Sequence, residues 1–385
     1  MARLNGKATR IAVFSLVIIG LIFFLSNTSG PTYVQSVNKT KSNDANVVDQ
    51  SQKSSVNGLF PDGRENATFV SLARNEDLWE LVSAIRSVED RFNVKYKYDW
   101  VFLNNEPFND EFKTVMKTLV SGEAKFGVIP KEHWSYPEWI SQEKAAQTRH
   151  DMKNIIYGSS ESYRHMCRYE SGFFYRHPLM LNYKYYWRVE PSTLLHCDVN
   201  FDVFKFMREN NKDYAFTITI HEFVDTIKTL WQTTKDFIKE NPEVIAKDNL
   251  EKFVSNDGME SYNLCHYWTN FEVANMDFWR GEAYSKYFEY LDKNGGFFYE
   301  RWGDAPVHSI AASLFLPQDR VHYFKEIGYF HGPYHNCPIE DSVREENKCM
   351  CKPNDDFTWK DYSCTRLYHD VKGLQKPKGW EKHTG

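Results

Sequence analysis

A chain of 385 residues, 42% of them hydrophobic, is long enough to form one large domain or two smaller ones around a proper core. This composition excludes a disordered or fibrous protein. The net charge of −5 gives no basic surface of the kind that neutralises phosphate backbones, so nucleic acid is not an expected partner.

The N-terminal segment has the pattern of a membrane anchor. Three basic side chains precede residue 11, and the run Ile11–Leu25 is apolar except for Ser15. We predict a cytosolic tail (1–10), a transmembrane signal-anchor (11–28), a flexible polar stem (29–64) and a lumenal domain (65–385) that ends in a cysteine-rich segment. A signal peptide cleaved near residues 26–30 is the alternative.

From residue 65 onward, strand and helix patterns alternate. Strands are predicted at 67–73, 99–104, 125–129, 184–189 and 213–220, and helices at 76–91, 112–120, 141–157, 160–175, 222–240 and 276–292. This alternation predicts a single α/β domain with a mixed, mostly parallel sheet covered on both faces. Ligands of such a sheet bind at the carboxyl ends of its strands.

Three acidic residues lie in aromatic-rich strings: Glu190 in YYWRVEP, Glu272 in NLCHYWTNFEVAN and Asp304 in YERWGDAPVHS. Carboxylates between aromatic rings are poorly solvated and usually bind a metal, a sugar hydroxyl or a reacting carbon. Glu190 follows a predicted strand and shares its phase with Arg188, so the two side chains form either part of a ligand site or an internal salt bridge. The sequence thus predicts a site for a polar, sugar-like substrate.

No glycine-rich phosphate loop follows the first strand, and no GxSxG elbow is present. Dehydrogenases, phosphate-loop nucleotidases and serine hydrolases of that type are therefore disfavoured.

Four of the seven cysteines lie in the last fifty residues. Disulfides in an oxidising compartment are the favoured interpretation, and a zinc site that includes His331 and His335 is the alternative. An odd number of cysteines leaves at least one outside an intramolecular disulfide.

Six long strings together resemble a known family. They are FVSLARN (69–75), SYRHMCRYESGFFYRHPL (162–179), YYWRVEP (185–191), NLCHYWTNFEVAN (263–275), ERWGDAPVHS (300–309) and YFHGPYHNCP (329–338). On these strings the chain resembles the fungal Golgi mannosyltransferases of glycosyltransferase family 15. The resemblance implies a GT-A-like, Rossmann-like domain in a single-pass type II Golgi membrane protein. It also implies transfer of mannose from GDP-mannose to N- or O-linked glycans of glycoproteins, with retention, in α-1,2 linkage and with Mn²⁺.

The resemblance also implies roles for single residues. His331 is the expected manganese ligand, and Glu272 is the expected nucleophile or the group nearest the reacting carbon. Further active-site residues implied in this way are Glu190, Asp304 and Tyr163 as catalytic groups, and Arg74 and Arg188 as contacts of the GDP moiety, the sugar or its phosphates.

One position departs from the family pattern. Glu190-Pro191 is followed by Ser192, where active members commonly carry Asp, and serine brings no charge to a metal or acceptor contact. This departure keeps open the transfer of mannose phosphate from the same donor, or a weakly active member that binds glycans and organises a complex.

Purely structural roles are the alternatives for the other residues. His331 is then a hydrogen-bond donor in an aromatic loop, and Glu272 braces a helix that begins near residue 275. Asp304 then caps a helix, and Tyr163 packs a helix against the sheet.

Overall fold

The structure, a computed structural model, describes residues 59–384. The predicted cytosolic tail, the anchor and most of the stem lie outside these residues. Within 59–384, none of the helices has the length and apolar character needed to cross a bilayer. Residues 59–64, predicted as the end of the stem, already belong to the fold, because Leu59 forms a β-bridge with Glu65 and Phe60 is buried against Tyr183.

The described chain contains twelve strands. In chain order they are β1 Ala67–Leu72, β2 Asp99–Asn104, β3 Ala124–Val128, β4 Tyr185–Val189, β5 Thr193–Leu195, β6 Tyr214–Phe216, β7 Thr219–His221, β8 Cys265–Tyr267, β9 Phe271–Asn275, β10 Val321–Tyr323, β11 Tyr329–His331 and β12 Tyr334–Asn336.

Nine α-helices of seven or more residues accompany them. They are α1 Leu78–Val88, α2 Asp110–Leu119, α3 Gln142–Asp151, α4 Glu161–Gly172, α5 Val203–Glu209, α6 Leu230–Glu240, α7 Glu282–Asn294, α8 Asp304–Phe315 and α9 Thr365–Lys372. Shorter helical segments include Val94–Tyr96, Glu251–Val254, Met276–Arg280, Gly296–Tyr299 and Asp341–Glu346.

The central sheet has seven strands in the order β10-β6-β9-β4-β1-β2-β3. Only β9 runs antiparallel to its neighbours, β4 and β6, so the predicted mixed and mostly parallel sheet is confirmed. The carboxyl ends of β1, β2 and β4 therefore meet at one edge. Two smaller antiparallel sheets, β12-β11-β5 and β7-β8, complete the fold.

Hydrophobic layers cover both faces of the central sheet, as the nearly continuous apolar run of a parallel strand requires. One layer includes a stack of Phe69 on Trp100, with ring centroids 4.4 Å apart. Side chains of a strand alternate between faces, so Phe271 and Val273 enter this layer while Glu272 points to the opposite one. The interior strand β9 thus carries a carboxylate into the core.

Four predicted elements differ from the structure. The helix predicted at 141–157 ends at Asp151. The predicted strand 213–220 is two strands, because β7 leaves the central sheet to pair with β8. The helix predicted at 222–240 begins only at Leu230, and the helix predicted at 276–292 is interrupted at Gly281.

Cysteine pairing follows the disulfide interpretation. Cys197–Cys349, Cys265–Cys364 and Cys337–Cys351 are bonded, and Cys167 is unpaired and buried.

Candidate active site

A cavity of about 480 Å³ opens at the sheet edge where β1, β2 and β4 end. Its size is in the range of small-molecule and cofactor sites. It is lined by Leu72, Ala73, Arg74 and Asp77 after β1, Asn104 and Asn105 at β2, Arg188, Glu190 and Pro191 at β4, and Trp134, Tyr157, Ser160, Ser162, Tyr163 and Met166 from the region around α4. Four predicted site residues, Arg74, Tyr163, Arg188 and Glu190, therefore share one cavity.

Arg188 is the centre of the charged groups at the cavity floor. Its Nη1 donates to Asp304 Oδ2 at 2.6 Å, and its Nη2 bonds Glu190. Burial alone would lower the pKa of Arg188, but the surrounding carboxylates, Glu170 first among them, hold it well above its ordinary value. Arg188 is thus a fixed cation that orients two predicted acids, and the internal salt bridge between Arg188 and Glu190 is present.

Asp304 is held as an anion at the floor of the site. It is the first residue of α8, where the helix dipole favours a negative charge, and Thr269 Oγ1 donates to it at 2.7 Å. Burial opposes ionisation, but Arg188, His308 and the hydrogen bonds from Arg188 and Thr269 lower the pKa of Asp304. The residue preceding the helix, Gly303, is the cap position, so Asp304 is not the predicted helix cap.

Glu190 is the acid that reaches the cavity surface. Its side chain keeps 27% of its exposure, against 7% for Asp304 and 7% for Arg188. A carboxylate that is both accessible and held by a buried cation is suited to face developing positive charge on a ligand.

An aromatic pair forms one wall of the cavity. The rings of Tyr157 and Tyr163 stack with centroids 4.5 Å apart. The guanidinium carbon of Arg301 lies 5.2 Å from the centroid of the Tyr163 ring. Burial raises the pKa of Tyr163 well above its ordinary value, so its hydroxyl stays protonated. On the other side of the cavity Arg74, which is largely exposed, pairs with Asp77 at 2.9 Å.

Glu272 lies behind the cavity and does not line it. It is opposite Arg188 in the register of β4 and β9, and it is fully buried. Its carboxylate accepts hydrogen bonds from Tyr186, from Tyr214 at 3.0 Å and from His308 Nδ1 at 2.9 Å. A nucleophile needs a free lone pair aimed at the substrate, so this geometry favours a positioning role for Glu272 over direct attack.

The alternative role predicted for Glu272, bracing a helix near residue 275, belongs to another side chain. Asn275 itself caps the short helix that follows, because its Oδ1 accepts from the amide of Asp277.

Ser192 is directed away from the cavity. It is exposed, adopts φ 61°, and donates from Oγ to Glu80 of α1 at 2.9 Å. Ser192 does not line the cavity, and its predicted contact with substrate, metal or acceptor stays a prediction.

His331 ends β11 beside the turn that follows Glu190. The register pairs His331 with Thr193, whose Oγ1 donates to the Glu190 carbonyl at 2.8 Å. The ring is half-buried and packs against Trp268, and its Nδ1 is buried with no hydrogen-bond partner in residues 59–384. Ring nitrogens of six other described histidines are also buried without a partner, so this feature does not single out His331; a neutral imidazole can nevertheless bind a cation through its unprotonated nitrogen.

Apart from His331, one described group has the donor atoms of a metal site. His221, Cys265 and Cys364 bring their ligand atoms within 4.8 Å of one another. The two sulfurs are joined to each other as a disulfide, so neither is a thiolate ligand.

Several cavity residues were not predicted from the sequence. Asn104 and Asn105 end a predicted strand, and the rule that ligands gather at carboxyl ends would have selected them. Trp134 and Tyr157 come from irregular segments, and no pattern in the sequence marked them.

Comparisons with known proteins agree with this geometry. A family model described as glycolipid 2-alpha-mannosyltransferase matches residues 27–373. The chain is 62% identical over 319 residues to glycolipid 2-alpha-mannosyltransferase 2 of Candida albicans, which covers 82% of this chain and 69% of that protein. It is also 62% identical to the alpha-1,2 mannosyltransferase KTR1 of Saccharomyces cerevisiae, across 84% of this chain and 82% of KTR1.

Two solved structures share the fold. Core-mannan synthase A (CmsA/Ktr4) from Aspergillus fumigatus, in its Mn/GDP form, superposes with a TM-score of 0.76 at 38% identity and covers 88% of this chain and 94% of its own. The mannosyltransferase Ktr4p of S. cerevisiae in complex with GDP gives 0.77 at 35% identity, over 91% and 90% of the two chains. The mixed α/β fold, the cavity at its carboxyl edge and these likenesses together place the chain in the glycolipid 2-alpha-mannosyltransferase family, glycosyltransferase family 15.

Proposed function

We propose that this chain transfers mannose from GDP-mannose to mannose-containing glycans of glycoproteins, with retention, in α-1,2 linkage and with Mn²⁺. The observation that carries the proposal is the convergence of Arg74, Tyr163, Arg188 and Glu190 on one cavity at the carboxyl edge of the sheet. Relatives named as alpha-1,2 mannosyltransferases, and neighbours solved with GDP or with Mn and GDP, support it.

The cavity offers separate surfaces for the parts of a nucleotide sugar. The stacked rings of Tyr157 and Tyr163 present an aromatic face to a base, and Asn104 and Asn105 present amides at the end of β2. Arg74 is exposed at the cavity rim and supplies positive charge for a diphosphate.

His331 would hold the Mn²⁺ through a ring nitrogen. The cation would supply positive charge that offsets the charge on the departing GDP, so the leaving group would need no proton from the protein. The fit rests on the imidazole of His331 and on its place beside the Glu190 turn.

The chain's own acids provide the rest of the chemistry. Departure of the diphosphate leaves an oxocarbenium-like sugar, and Glu190 at the cavity surface stabilises that positive charge. Arg188 keeps Glu190 and Asp304 oriented during the reaction. Because Glu272 is enclosed, retention is attributed to attack of the acceptor from the face that the diphosphate leaves.

We assign the chain to the Golgi membrane as a single-pass type II protein, with residues 11–28 as its anchor and the catalytic domain in the lumen. The basic residues before the apolar run support this orientation. The three disulfides support an oxidising compartment.

The decisive experiment incubates the purified protein with radiolabelled GDP-mannose, Mn²⁺ and a panel of mannosides, followed by linkage and phosphate analysis. An α-1,2-linked mannose product is expected. A product that contains phosphate would replace the proposal with mannosylphosphate transfer, and glycan binding without any product would indicate the complex-organising role.

The E190Q variant, which keeps the shape but removes the charge, should lower kcat by about 100-fold or more if Glu190 faces the reacting sugar. The E111Q variant changes an exposed glutamate of α2 in the same way and is the matched control.

A further inference from the structure

Glu170 of α4 is a buried carboxyl that the mechanism above does not use. It retains 4% of its exposure, lies under the cavity without lining it, and approaches Arg188 Nη1 at 3.8 Å. That distance is too long for a hydrogen bond, and no other group in residues 59–384 donates one to this carboxyl. Glu170 is therefore a largely buried carboxyl that accepts no hydrogen bond.

The charges around Glu170 are predominantly negative. Glu190 after β4, Glu272 on β9 and Asp304 on α8 face it, against Arg188, the single cation that faces it in the described part of the chain, while His308 is paired with Glu272. A further carboxylate, Asp292 of α7, is occupied by a bidentate pair with Arg168 of α4.

Both outer nitrogens of Arg188 are already used. Nη1 donates to Asp304 and Nη2 to Glu190, so Glu170 is 3.8 Å from Nη1 and accepts no hydrogen bond from the guanidinium. A largely buried carboxylate that accepts no hydrogen bond and lies among like charges is disfavoured. Burial, aided by the neighbouring acids, raises the pKa of Glu170 to about 7.

We propose that Glu170 is a positioning residue that works as a neutral acid, leaving the Arg188 guanidinium directed at Asp304 and Glu190. Loss of its proton would place a third anion 3.8 Å from Nη1 and draw the guanidinium away from the other two. In experiments that measure activity, the inference rests on the proposed mannosyl transfer. Glu170 acts only through Arg188.

The test compares the pH dependence of kcat/KM in the wild type and in E170Q, which mimics the neutral acid. The wild type should lose about tenfold in kcat/KM per pH unit above the pKa of Glu170. E170Q should match the wild type within about twofold below pH 6 and lack this alkaline fall. Profiles that fall together would overturn the proposal.

D356N is the matched control. Burial also raises the pKa of Asp356 to about 7, but this residue accepts from Thr358 and the Cys337 amide in the C-terminal segment and does not contact Arg188. D356N should therefore keep the wild-type alkaline fall. If D356N lacks the alkaline fall in kcat/KM, the titrating group is Asp356 and the role proposed for Glu170 is overturned.

Two further measurements separate this inference from the proposed function. Difference infrared spectra of wild type and E170Q should show a protonated carboxyl band in the wild type at pH 5 that disappears by pH 9, and its absence would show that Glu170 is ionised. If the wild type transfers no mannose, calorimetric titration with GDP and Mn²⁺ takes the place of kcat/KM. Affinity should then fall with rising pH in the wild type and not in E170Q, and equal pH dependence would overturn the proposal.

Discussion

Replacing Glu272 by glutamine should destabilise the fold severely. The carboxylate accepts three hydrogen bonds, and the direction of at least one is fixed. The Tyr186 hydroxyl accepts from Trp279 Nε1 at 3.0 Å, so its own proton must point at Glu272. A glutamine amide has one acceptor oxygen, and its NH₂ group would face a second donor.

The size of the effect follows from these contacts. A hydrogen bond to a charged group contributes about 1.5–3 kcal/mol, and removing one partner of a buried ion pair costs about 3–5 kcal/mol. The E272Q variant loses the charge that holds His308 and at least one acceptor, so we expect a loss of about 3–5 kcal/mol. For a large domain this lowers Tm by about 6–10 °C.

Differential scanning calorimetry under non-reducing conditions measures the shift, with transfer and GDP affinity measured well below the Tm of the variant. E111Q on exposed α2 should change the free energy of unfolding by less than about 0.5 kcal/mol. If E272Q melts with the wild type yet no longer transfers mannose, the positioning role is refuted and Glu272 acts at the reacting carbon.

Three more variants test the site. H331A should raise the Mn²⁺ concentration for half-maximal transfer by about tenfold or more. An unchanged metal titration would show that His331 is not a metal ligand. H322A on β10 is the control variant. S192D should leave transfer within about twofold, because residue 192 faces Glu80 outside the cavity; a severalfold gain would show that the position contacts substrate or metal. Y157A should weaken GDP binding by about 1–3 kcal/mol in calorimetry, because the aromatic wall is lost. L181A changes an equally exposed side chain and should leave GDP binding unchanged. Equal GDP affinities of Y157A and the wild type would exclude stacking of the base on Tyr157.

Residues close together in sequence were the easiest to place. Strand phase alone puts Arg188 and Glu190 on one side of β4, and the following proline marks the strand end, so their pairing and their position at the sheet edge were both predictable. Asp304 was predicted as a site residue only from the family resemblance of the string around it. Its hydrogen bond with Arg188 joins residues 116 positions apart, and no local pattern predicts such a contact.

The position of Glu272 in the fold could not be predicted from local sequence patterns. The string FEVAN is short, and periodicity does not show that it enters the sheet antiparallel between β4 and β6. The face on which Glu272 lies, and therefore its enclosure by Tyr186 and Tyr214, follows from that pairing. The left-handed conformation of Ser192 after Pro191, which lets its hydroxyl donate to Glu80, is likewise not contained in the local pattern.

The cystine between residues 197 and 349 has a consequence for biogenesis. Cys197 follows β5, which pairs with the strand that carries His331, and its partner lies 152 residues later. A ribosome must therefore complete about nine-tenths of the polypeptide before this bond can form. The other two disulfides also depend on late residues, because their second cysteines are Cys351 and Cys364. A chain truncated shortly before residue 349 would therefore contain all twelve strands but none of the three disulfides. Oxidative closure of this domain is accordingly a step that follows synthesis of its sheets.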